Sequence, residues 1–81
     1  MEKTYNGNDG LFSATRYGSE RSRHYALHFK QHTIGKIIVC GRDEGIYLQI
    51  NDATEFTADN YNSVNHIIQQ IVKDAKATGF Y

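Results

Sequence analysis

The chain has 81 residues, and nine Lys plus Arg balance nine Asp plus Glu. The zero net charge removes any whole-molecule electrostatic argument for nucleic acid or membranes, and 22% charged with 40% hydrophobic residues suits a folded rather than a disordered chain. The single cysteine, Cys40, rules out an intrachain disulfide and is at home in a reducing compartment.

Residues 1–10 are polar and carry two turn dipeptides, Asn6-Gly7 and Asp9-Gly10, with Lys3 to Tyr5 either a short edge strand or a loose tip. Leu11 to Tyr17 reads as a strand, and Gly18 to Ser22 as a polar turn. Arg23 to Lys30 alternates with period two. Tyr25, Leu27 and Phe29 fall on one face, and His24, Ala26, His28 and Lys30 on the other. A helix capped by Ser19 competes here, because His24, His28 and His32 stand at i, i+4. The clean alternation and the aromatic content favour the strand. Gln31 to Gly35 is expected to turn the chain. Lys36 to Cys40 is a continuous apolar run, as in strands buried on both faces. The loop 41–45 has a glycine at each end and leads to a partner strand, Ile46 to Ile50. Ala53 to Phe56 is either an edge strand or the approach to the last element.

That last element, Thr57 to Gly79, is an amphipathic helix. Tyr61, Val64, Ile68, Ile71 and Ala75 form its stripe, and Ile67 and Val72 widen it. Thr57 is its N-cap, Phe56 and Tyr61 a hydrophobic staple, and Gly79 its stop. The 3-4 spacing also fits a coiled-coil seam, although the helix is short for one. The expected fold is one α+β domain spanning residues 1–81: an antiparallel meander of three to five strands with the C-terminal helix packed on one face.

No segment carries the spacing of a metal site, a phosphate loop or a nucleophile motif. His24, His28, His32 and Cys40 lack a tight ligand pair, so neither a metal nor a cofactor is expected. His24 or His28 as acid and base, with Arg23 or Lys30 holding phosphate, would make a nuclease-like site, but nothing in the sequence fixes that geometry. The expectation is no enzyme.

Two binding readings remain. In the first, the apolar sets Ile37 with Val39 and Ile38 with Cys40 both need cover, and one helix covers only one face. The six tyrosines add adaptable contact area; Tyr25 and Tyr61 are expected in the core, and Tyr5, Tyr17, Tyr47 and Tyr81 are available to the surface. This describes a small non-enzymatic cytoplasmic protein acting by protein–protein contact, such as a phage or mobile-element inhibitor working in the host cytoplasm. Its contact residues would be Arg23, His28, Lys30, Arg42 and Tyr47 on the face opposite the helix, with homodimerisation through that face as the natural complication. In the second, Arg16, Arg21, Arg23, Lys30, Lys36 and Arg42 against Glu20 form a basic stretch for a nucleic-acid-binding regulator. Neither reading involves a membrane.

Overall fold

A computed structural model describes residues 3–17, 23–40, 45–51 and 57–77. Five strands, β1 (Lys3–Asn6), β2 (Phe12–Arg16), β3 (His24–Phe29), β4 (His32–Val39) and β5 (Ile46–Ile50), precede one helix, α1 (Ala58–Ala77). The strands form an antiparallel meander in sequence order, and α1 packs on one face of it. Among the described residues, this is the two-layer α+β arrangement expected.

Alternation decides which side chains meet the helix. Phe12 pairs with Phe29, Ala14 with Leu27, and Arg16 with Tyr25, so one set from each strand shares the covered face. Tyr25, Leu27 and Phe29 are buried there, as their period-two spacing predicts. The aromatics pack tilted rather than stacked. The Phe12 and Phe29 centroids lie 4.8 Å apart, and Tyr5 meets Tyr25 edge-on at 5.8 Å. From α1, Val64, Ile67, Ile71 and Ala75 complete the core.

Several expectations are corrected. The β3–β4 turn is not Gln31 to Gly35 but the pair Lys30-Gln31, both at positive φ, 49° and 73°. That is the signature of a two-residue type I′ hairpin, whose twist matches the flanking strands. β4 therefore starts at His32. A register shift beside Leu27 lets Leu27 face Gly35 while His28 faces Thr33, leaving Ile34 as an extra, buried residue. The bulge explains why Ile34, Ile37 and Val39 are all buried although their spacing breaks alternation.

Tyr61 is 49% exposed, so it is not a core residue. The buried arc of α1 is turned toward Ser63, Ile67 and Ile71, and Ile68 packs only at the margin. The reason is polar. The Ser63 hydroxyl donates to Asp9 Oδ1 at 2.8 Å, Gln70 Nε2 to the Asn6 carbonyl at 2.9 Å, and Asp74 accepts from the Tyr5 hydroxyl at 2.7 Å. These bonds draw one flank of the helix onto β1 and its turn. Because the apolar arc is buried against its own sheet, it does not form a coiled-coil seam. Tyr5, expected at the surface, is 4% exposed for the same reason. Arg16, expected in a basic surface, is buried on the helix side.

The N-cap is as expected: the Asn60 amide reaches Thr57 Oγ1 at 3.3 Å. Phe56, Gly79, Tyr81 and the segments 18–22, 41–44 and 52–56 lie outside the described residues, and with them the staple, the helix stop and both proposed turns.

Candidate functional site: the open sheet face

Sheet parity assigns a second set of residues to the face opposite α1. Thr4, Thr15, Ala26, Lys36 and Gln49 run across it in one register row, and His24, Ile38 and Tyr47 in the next. Tyr17 continues β2 beyond Arg16 and lines the same shallow depression as His24. That depression measures about 480 Å³, and its rim also includes Lys36, Gln49 and Asn51. Tyr17 and Tyr47 are 54% and 60% exposed. Ile38 is half-buried between His24 and Tyr47. Among the described residues, no second layer covers this face, and no Asp or Glu stands in its strand positions.

Of the expected contact residues, His28 and Tyr47 stand on this face. The His28 ring nitrogen Nδ1 lies 3.2 Å from Thr33 Oγ1, its cross-strand neighbour. Lys30 sits in the hairpin turn rather than on the strand, and its ammonium lies 5.3 Å from the Phe29 ring centroid. Arg23 has the parity of Tyr25: its carbonyl accepts from the Val39 amide at 2.9 Å, which places it in register with the helix-covered row. Arg42 lies outside the described residues. The structure thus brings His28 and Tyr47 to one face and separates Arg23 and Lys30 from it.

The basic set is likewise divided. Arg16 is buried under the helix, Lys36 is on the open face, Lys30 and Arg23 lie at opposite ends of β3, and Arg21 and Arg42 lie outside the described residues. Tyr25 and Phe29 point into the core, away from Lys36. His24 and His28 share a strand face but are four residues apart, roughly 13 Å along a strand. Among the described residues, no three His, Cys, Asp or Glu side chains gather as metal ligands would. Cys40 is half-buried, its thiol 3.9 Å from the Ile38 carbonyl.

Reading the sequence by motif passes over Tyr17, His24, Ile38 and Gln49 as neighbours. The signal for them was present in the strand parities, but the hairpin turn and the bulge set which parities meet.

Tyr5, Asp9 and Asp74 have displaced pKa values where β1 and the turn after it meet α1. Asp74 accepts from Lys3 and from the Tyr5 hydroxyl, and these two partners hold its carboxyl below the usual range despite partial desolvation. At Asp9, desolvation opposes the charge. The Leu11 amide at 2.9 Å, the Ser63 hydroxyl and the Phe12 amide outweigh it and lower the carboxyl as well. Burial, then the bond to Asp74 and its charge, push the Tyr5 phenol upward.

Depressed carboxylates stabilise the fold above their unfolded pKa, and that contribution is lost as pH falls through the folded values. A raised phenol stabilises below its unfolded pKa and loses that contribution as pH rises through the folded value. Stability should therefore fall on acidification below about pH 4 and again above about pH 10. Asp74→Asn should flatten the acid limb in urea unfolding followed against pH. The Lys3–Asp74 pair is partly exposed (49% and 35%), so its share is small, about 0.2–1 kcal/mol. An unchanged acid slope in Asp74→Asn would place the acid sensitivity elsewhere.

No known protein family, curated protein or solved structure matches the chain. Among the described residues, no helix is long and apolar enough to cross a membrane.

Proposed function

We propose that the protein is a non-enzymatic binding protein that meets a protein partner through the open sheet face, in the manner of a small inhibitor or modulator of larger machinery. An inhibitor carried by a phage or mobile element and acting in the host cytoplasm is a protein of this kind. The single observation behind the reading is the row of His24, Ile38 and Tyr47 beside Tyr17, on a face with no covering layer among the described residues. Interface centres favour aromatic residues and are poor in charge. Exposed Tyr47 beside half-buried Ile38, with exposed Tyr17 beyond His24 and Lys36 the one Lys or Arg in the described strand positions of this face, follows that pattern. The nucleic-acid reading gains no comparable support, because among the described residues its cations Arg16, Arg23, Lys30 and Lys36 are spread over both faces and both ends of β3.

The test is affinity capture from lysate, with and without nuclease treatment, using the tagged protein alongside Tyr17→Ala/His24→Ala and a helix control, Gln69→Ala. The open-face variant should lose the partner by about tenfold or more in affinity while remaining folded, and the control should keep it. Equal capture by all three proteins, no protein captured, or partners lost on nuclease treatment would each overturn the proposal.

A further inference from the structure

We infer that the chain forms a two-fold dimer by antiparallel pairing of β5 with β5 of a second copy. The backbone carries the argument. The Asn51 amide donates to the Ile34 carbonyl at 2.7 Å, and the Gly45 carbonyl accepts from the Cys40 amide at 2.9 Å. Both are odd-numbered positions, and β5 runs against β4 without a register shift. In an antiparallel ladder, the amide and carbonyl of one residue point the same way and alternate from residue to residue. Positions 45, 47, 49 and 51 therefore turn their backbone groups toward β4. Ile46, Leu48 and Ile50 turn theirs outward, and among the described residues no strand lies beyond them.

An edge of this kind is normally guarded by charge, proline or a bulge. Ile46 to Ile50 has none of these. The other edge, β1, carries Lys3 bonded to Asp74 of the helix.

The sequence IYLQI is complementary to itself. A two-fold axis at Leu48 sets Leu48 against its own copy, Ile46 against Ile50 of the second copy, and Tyr47 against Gln49 of the second copy. The three pairs formed by the even-numbered residues are then the hydrogen-bonded ones, giving about six interchain bonds. Tyr47 and Gln49 fall at the non-bonded positions, where side chains come closest. Shifting the axis by one residue, to Tyr47 or Gln49, keeps the outward groups opposed but leaves two hydrogen-bonded pairs within Ile46 to Ile50 instead of three, and an axis midway between residues would oppose groups already bonded to β4. On the helix side, Ile46, Leu48 and Ile50 are only partly buried, and the second copy would cover them with the same three residues. Backbone parity, absence of charge and apolar cover all select one occupant, a second copy of this chain.

Sedimentation equilibrium across a concentration series, with hydrogen exchange on the same samples, tests the inference. The expected result is a dimer in which the Ile46, Leu48 and Ile50 amides lose protection on dilution while Tyr47 and Gln49 keep theirs. The variants Tyr47→Lys/Gln49→Lys and Tyr47→Glu/Gln49→Glu should each be monomeric, since like charges then oppose one another across the axis, and mixing the two should restore a heterodimer. A monomeric wild type, a wild-type dimer with the three amides unprotected, or a dimer that survives both double variants would overturn it. The wild-type measurements decide the matter even if a variant fails to fold.

Discussion

Replacing Gly35 with alanine is expected to cost about 3 kcal/mol or more, the upper range for forcing atoms into a filled site. A Cβ at Gly35 would collide with the carbonyl oxygen of Gln49 and lie 3.0 Å from the Cα of Ile50. Both obstacles are backbone of β5, so no side-chain tip can swing aside. Either β5 retreats from β4 or the bulge at Ile34 is rebuilt, and both break ladder bonds. A domain of this size is stable by roughly 4–12 kcal/mol, so the loss is a large fraction of the total. Thermal unfolding should drop by about 10–20 °C. Gly7 gives the contrast. A Cβ there would run into the Ser63 hydroxyl, which can rotate at the expense of its bond to Asp9. Gly7→Ala should therefore cost less than Gly35→Ala. If Gly35→Ala unfolds within about 0.5 kcal/mol of wild type, the close approach of β4 and β5 is wrong.

The second large effect separates the buried arc of α1 from the stripe that hydrophobic spacing alone suggests. Ile71→Ala should cost about 2–5 kcal/mol, because its side chain has no exposure and the cavity cannot collapse fully against a sheet. Tyr61→Ala, with half of its residue surface in solvent, should cost about 0.5–1 kcal/mol. Urea denaturation of the two variants side by side checks the rotation of the helix, and comparable losses would restore the stripe that begins at Tyr61 and runs through Ile68 and Ile71.

That rotation shows where sequence reading stops. Periodicity places α1 and its capping threonine, the alternating strand at Tyr25, Leu27 and Phe29, and the hairpin partner Ile46 to Ile50, because each pattern is local. It misplaces Tyr61 because Ser63, Gln70 and Asp74 count as polar, and a polar residue satisfied at an interface is indistinguishable from a solvated one until its partner is known. Those partners, Asp9, Asn6 and Tyr5, stand more than fifty positions away in the chain. Gly35 reads as a turn residue for a related reason. Lys30-Gln31 carries none of the usual dipeptide cues for a type I′ turn, so the start of β4 is assigned too late. The candidate surface inherits both limits. His28 and Tyr47 follow from alternation within their strands, whereas the neighbours Tyr17, His24 and Ile38 depend on registers that the turn and the bulge determine together.

The seam between β1 and α1 joins the first strand to the helix that follows the whole sheet. Lys3 and Tyr5 reach Asp74, and Asn6 reaches Gln70. On a ribosome the strands emerge in order, and each can pair with the one before it, yet their shared apolar face stays wet until the helix arrives. β1 is held at the edge of the sheet by its ladder to β2 and by side-chain bonds to a helix that follows all five strands. The meander is thus an assembly line with its clamp at the far end: a nascent chain that stalls before residue 74 has its strands but not the contacts that lock the first of them, and it presents Phe12, Leu27 and Ile37 to whatever chaperone or protease reaches it first.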